Sequence, residues 1–197
     1  MARLRAFLIG AIALFALRAD ASVSFTVVLD ALTHDSVAAC LETPVETKSV
    51  WEDGRIVTYT RVHVDRVIAG SVASEIWVRT LGGEVGDIGQ QVEGEAVLRA
   101  GQQSLLFLTQ WEGSWVVTAR GQGQFPIVRD VAGALRLHKN AHAGALLPPQ
   151  PAAVARVRAA TSVVNAASPA ADVLDGKSID DAATEIGGAW RRTHASP

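Results

Sequence analysis

Arg55-Ile56-Val57-Thr58-Tyr59-Thr60-Arg61-Val62-His63-Val64-Asp65-Arg66-Val67-Ile68 is the stretch on which the fold turns. β-Branched and aromatic residues run through it, and such side chains fit a pleated, half-buried surface. Side chains alternate across a strand, so Ile56, Thr58, Thr60, Val62 and Val64 share one face and Val57, Tyr59, Arg61, His63 and Asp65 the other. The first set is the more apolar and is expected to be buried. At about 3.3 Å per residue an unbroken strand of this length would exceed roughly 40 Å, which is long for one small sheet. A bulge or bend is therefore expected near Asp65–Arg66, where the alternation must slip to bury Val67.

Outward from this strand the turns come at short intervals. Upstream, Trp51-Glu52-Asp53-Gly54 reads as a tight reversal, because Asp-Gly favours positive φ. Val37 to Glu46 reads as a strand ending around Pro44, and Leu29 to Ser36 as one or two helical turns with Leu29 and Leu32 on a shared face. Downstream, Ala69-Gly70-Ser71 turns into a strand from Glu75 to Leu81. A glycine-rich loop spans Gly82 to Gly89, followed by a short strand from Gln91 to Leu98. Ser104 to Thr109 is a strongly apolar strand, Glu112-Gly113 a turn, and Trp115 to Ala119 a further strand. Gly121 and Gly123 break that strand; Phe125 to Val128 resumes, and Leu135 and Leu137 mark a short edge strand. Six or so short strands with such spacing predict a mainly β domain, either a small, partly closed barrel or a sandwich. The long bent strand favours a barrel of the oligonucleotide/oligosaccharide-binding (OB-like) kind, since coiling removes free sheet edges.

The ends of the chain differ from the middle. Arg3 and Arg5 precede an apolar run from Ala6 to Leu17, and the small residues Ala19 and Ala21 suit an export peptidase. The run is shorter than the roughly 20 residues that span a bilayer, so residues 1–21 read as a signal peptide cleaved before Ser22, with an uncleaved anchor as the competing reading. The protein is thus expected to be exported, periplasmic or secreted, without stable membrane insertion after cleavage. Loss of that segment takes Lys plus Arg from 18 to 15 and Asp plus Glu from 20 to 19, so the formal charge moves from −2 to −4. An acidic chain argues against nucleic-acid binding, which draws on a basic surface. Cys40 is the single cysteine, so no internal disulfide is available, and its apolar setting suits a buried small hydrophobe. The β-domain is expected over 22–147 and a Pro/Ala-rich linker over 148–177, with a possible helix from Ala152 to Ala166. Residues 178–197 hold a short amphipathic helix, Ile179 to Trp190, with Ser178 as N-cap and Asp181 closing a capping box.

Gly82-Gly83-Glu84-Val85-Gly86-Asp87-Ile88-Gly89 lacks the Lys-Ser or Lys-Thr of a phosphate loop, and strand is expected where a helix would have to follow. His138 and His142 are four apart but have no third ligand near them in sequence. His63 and Asp65 share a strand face, yet no serine sits in a nucleophile elbow. Glu84 with Asp87, and Glu93 with Glu95, carry no mark of desolvation. No catalytic, cofactor-binding or metal residue is assigned. The candidate interaction surface is Tyr59, Arg61, His63, Trp77 and Arg79, on adjacent strands, because aromatic and arginine side chains together are the composition of protein-contact hot spots.

Thr58-Tyr59-Thr60, Val67-Ile68-Ala69-Gly70, Gly82-Gly83-Glu84-Val85-Gly86, Leu105-Leu106-Phe107-Leu108 and Gln122-Gly123-Gln124-Phe125 form a pattern. Over roughly residues 29–137 it resembles a group of uncharacterised exported bacterial β-domain proteins. That resemblance implies a shared domain and export, and no mechanism. A non-catalytic binding or accessory module for a protein or peptide partner is the leading expectation. A self-assembling envelope component and a metal-assisted hydrolase with dispersed ligands are the alternatives.

Overall fold

The computed structural model describes residues 23–151, 154–155 and 168–195. The expected signal peptide and most of the expected helix from Ala152 to Ala166 lie outside them. Within them the chain is mainly β: β1 (Val23–Phe25), α1 (Leu29–His34), β2 (Ala38–Glu52), β3 (Arg55–Gly70), β4 (Glu75–Leu81), β5 (Gly83–Val85), β6 (Ile88–Gln90), β7 (Ser104–Trp111), β8 (Ser114–Val117), β9 (Gln124–Arg129), β10 (Leu135–Leu137) and β11 (Ala145–Leu147), then α2 (Ala170–Leu174) and α3 (Ile179–Thr193).

β2 and β3 form one long antiparallel hairpin, from the Glu52–Arg55 pair to the Ala38–Gly70 pair. Asp53 and Gly54 close it with φ of 50° and 77°, as a two-residue turn matched to strand twist requires. Three irregularities bend the pair. Cys40 faces Val67 while Ala39 faces Ala69, so Ile68 is left over; Glu42 faces Val64 while Leu41 faces Arg66, so Asp65 is left over. On β2, Val45 falls between Pro44 and Glu46. The bend therefore falls at Asp65 and is shared with two further bulges, but it does not bury Val67, which stays 42% exposed. β2 also continues to Glu52 instead of stopping at Pro44: the bulge at Val45 carries the strand past a residue that has no N–H to give the ladder.

Those bends let the sheet close. β2 pairs with β3, β3 with β4, β4 with β8, β8 with β7 and β7 with β2, giving a ring of five strands in which only β4–β8 is parallel. One edge of β7 holds β2; its other edge takes β9 over Ser104–Leu106 and β8 over Leu108–Trp111. β9 and β10 thus peel away from the ring.

β7 is apolar on both faces because each face has its own core. Leu106 and Leu108 point inside with Cys40, Val62, Val64, Ile76, Val78 and Val117. Leu105 and Phe107 point outside, where Leu29 and Leu32 of α1, Leu174 of α2, and Ala182, Ile186 and Ala189 of α3 cover them. Phe107 meets Phe125 edge-on at 6.2 Å. Ser178 caps α3: its Oγ accepts from the Asp181 N–H at 3.2 Å and donates to the Asp181 carboxylate at 2.7 Å. The helix runs through Gly187-Gly188 to Thr193, further than expected, because Ala189 and Ile186 are buried and the Arg192 guanidinium donates twice to Asp30 of α1, at 2.6 and 3.1 Å.

Two sequence expectations are corrected. Gln91 to Leu98 is not a strand but an irregular segment. Gly94 takes φ of 78°, and the Val97 N–H and C=O are both satisfied by the Gln124 side chain, at 2.9 and 2.7 Å, instead of by a ladder. The glycine-rich stretch before it is not a plain loop, since β5 and β6 pair as a small hairpin. No helix among the described residues is long and apolar enough to cross a membrane.

Candidate functional site: a charge-paired outer face and a polar inner cleft

The five residues expected to form an interaction surface come together on the outer face of the ring. Across β3 and β4, Tyr59 faces Arg79, Arg61 faces Trp77, and His63 faces Glu75. The arginines are not free cations. Arg61 donates to Glu46 at 3.1 Å and to Glu75 at 3.3 Å, from strands on either side. Arg79 donates to Glu52 at 3.1 Å, and the Tyr59 hydroxyl donates to the same carboxylate at 2.7 Å. The Tyr59 bond, then that of Arg79, holds the Glu52 carboxyl below its usual range, and the same bond pushes the Tyr59 phenol up. The face is therefore a cross-strand lattice of paired charges with no net basic field.

The row continues past β4. One position before the Val78–Trp115 pair stand Trp77 on β4 and Ser114 on β8, and Ser114 in turn faces Trp111 on β7. Trp77 is 41% exposed and Trp111 63%. Two large aromatic surfaces thus flank a serine beside the ion-paired arginines. The alignment of Trp111 with Trp77 depends on the parallel β4–β8 pairing, which no local pattern in the sequence reveals.

The inside of the ring changes character along its length. Around Val62, Val64 and Val78 it is apolar. Towards the β2–β3 turn it is lined by hydroxyls, since Thr47 faces Thr60 and Ser49 faces Thr58 on the same side. A cleft of about 640 Å³ opens there, bounded by the irregular segment 91–99. Glu95 lies buried in its wall; burial pushes its carboxyl up, and its Oε1 accepts from the Ala96 N–H at 3.2 Å. This corrects the expectation that neither Glu93 nor Glu95 is desolvated.

Glu42 is a second buried carboxyl. It points inward, facing Val64 and Ser104, and neither carboxylate oxygen has a hydrogen-bond partner. Burial first, then the charge of Asp65, pushes its carboxyl up to about 8, which leaves it protonated at neutral pH. Cys40, on the same face, is pushed up to about 12 by burial and by those two carboxyls, so its thiol stays neutral. The signal for Glu42 was present in the sequence: it shares the alternation of Cys40 in an apolar run, with no neighbouring cation.

The remaining candidates are dispersed. His138 lies 3.7 Å from Asp175, while His142 meets Arg99 at 3.4 Å, so the two imidazoles take separate partners. Asp65 accepts from Thr43 and Gln103, each at 2.8 Å, and does not orient His63. Among the described residues no group of three or more His, Cys, Asp or Glu side chains is placed to hold a metal ion. Compared with protein-family models, curated proteins and solved structures, the chain matches none.

Proposed function

We propose that this chain is an exported, non-catalytic binding module that recognises a protein or peptide through the outer face of β3, β4, β8 and β7. The observation that carries the reading is the exposed pair Trp77 and Trp111 flanking Ser114, next to arginines already held in place by Glu46, Glu52 and Glu75. Exposed tryptophan beside arginine is the composition of contact hot spots. Fixing the arginines beforehand lowers the entropy lost on association, so a partner gains more from each contact. Charge pairing and the acidic total favour a protein or peptide over a phosphate backbone.

A closed five-strand ring with one long, coiled first strand and a non-sequential strand order supports the OB-like description over the sandwich. In barrels of that kind the second and third strands present the binding surface. Here those are β3 and β4, which carry Tyr59, Arg61, His63, Trp77 and Arg79. Fold alone does not name a ligand, so the tryptophan pair and its surroundings carry the argument.

Immobilised protein exposed to an exported fraction is expected to retain a stoichiometric partner. Trp77→Ala and Trp111→Ala should each weaken retention at least about ten-fold, equivalent to about 1.4 kcal/mol. Equal retention by both variants would remove this face from the account.

A further inference from the structure

We propose that the inner cleft is a second, separate binding site, for a small neutral polyhydroxyl ligand such as a mono- or disaccharide. The interior of a small barrel is ordinarily filled by its own side chains. This ring obeys that rule at one end and departs from it at the other, where Thr47, Ser49, Thr58, Thr60 and Thr80 replace the apolar residues and about 640 Å³ stays open. That volume falls within the roughly 300–1,000 Å³ of small-molecule sites.

The lining selects the ligand. Thr58 donates to the Gly82 carbonyl at 2.6 Å and shares a hydrogen bond with Ser49 at 2.8 Å, so these two are committed to the protein. Thr47 and Thr60 line the cleft with no hydrogen bond to any described residue, although Thr60 is only 1% exposed. A hydroxyl both donates and accepts, and a ligand that answers it fully must do both as well. An ammonium group only donates, and a phosphate or carboxylate only accepts. The wall also carries buried Glu95, whose Oε1 accepts from the Ala96 N–H at 3.2 Å and whose Oε2 lies 3.9 Å from the Arg120 guanidinium. Arg99 at the rim meets His142 at 3.4 Å and keeps its charge, but Glu84 and Glu93 line the same cleft, so no net positive field draws an anion in. Vicinal hydroxyls supply donors to Glu95 and both functions to the threonines.

Saturation-transfer NMR and calorimetry with glucose, N-acetylglucosamine and cellobiose test the site. At least one of these is expected to bind in the millimolar range or tighter. Thr60→Val, which keeps the shape and removes the hydroxyl, should weaken that binding about ten-fold without lowering the melting temperature. Thr47→Ala, at an exposed position where folding is not at risk, should weaken it in the same direction, and Trp77→Ala should leave it unchanged. Absence of binding by all three sugars would overturn the proposal. So would binding that survives both threonine variants, or binding lost in Trp77→Ala, which would place the sugar on the outer face.

Discussion

At the scale of single residues, Glu42 sets the clearest physical expectation. Its carboxyl is raised from 4.5 to about 8 in the folded chain because both oxygens are buried and unpartnered and Asp65 lies near. Below about pH 4.5 the group is protonated in folded and unfolded chains alike and affects neither. Between that pH and about 8 the unfolded chain releases the proton while the folded chain keeps it, so stability falls as pH rises; above about 8 the loss is complete. Glu42→Leu should therefore raise the urea midpoint at about pH 8 far more than at about pH 5, and flatten the dependence between them. An equal gain at both values would mean that the carboxyl finds a partner. Much at this scale was legible. The alternation of Arg55–Ile68 assigned Val62 and Val64 to the inside and Tyr59 and Arg61 to the outside. Val57 departs from it, being fully buried on the outward side. The pairing of each arginine with glutamates from other strands was not legible, because it depends on register across three strands.

At the scale of elements, α3 is a helix whose own signals and whose docking can be separated. Its N-cap was legible, since Ser178 and Asp181 are three residues apart in sequence. Its place was not, because that depends on Asp30, 162 residues away. Asp30 has a side chain only 6% exposed, and its partner Arg192 is 26% exposed. Removing the guanidinium leaves a buried carboxylate without its cation, whereas removing both charges does not. Arg192→Met should cost about 2–4 kcal/mol, somewhat below the range for fully buried pairs because the guanidinium is partly wet. The double variant Asp30→Asn/Arg192→Met should recover part of that loss in urea unfolding. A single variant as stable as the parent would show that α3 is held by Ile186 and Ala189 alone. The expected strand from Gln91 to Leu98 failed for a related reason. Its apolar residues Ala96 and Leu98 are buried, as a strand would require, but the Val97 N–H and C=O between them are satisfied by the side chain of Gln124. A single-sequence pattern reports burial and cannot report which partner satisfies the N–H and C=O groups.

At the scale of the whole molecule, one device organises the rest: bulges at Asp65, Ile68 and Val45 coil a single long hairpin until β8 meets both β4 and β7. The need for a bend was legible in the length of the β3 stretch. Closure was not, since it rests on a two-pair parallel contact between β4 and β8. Closure creates two surfaces of different chemistry, an outer face with paired charges and exposed tryptophans and an inner cleft lined by hydroxyls. The central claim is that the outer face meets the partner. Backbone NMR shifts of the labelled protein, titrated with the partner it retains, test this most directly. The account predicts that the shifted residues cluster on Tyr59, Arg61, Trp77, Trp111 and Ser114 and leave α3 unmoved. Shifts gathered on α1 and α3, with the tryptophan indoles unchanged, would contradict it and move recognition to the helical side of the sheet.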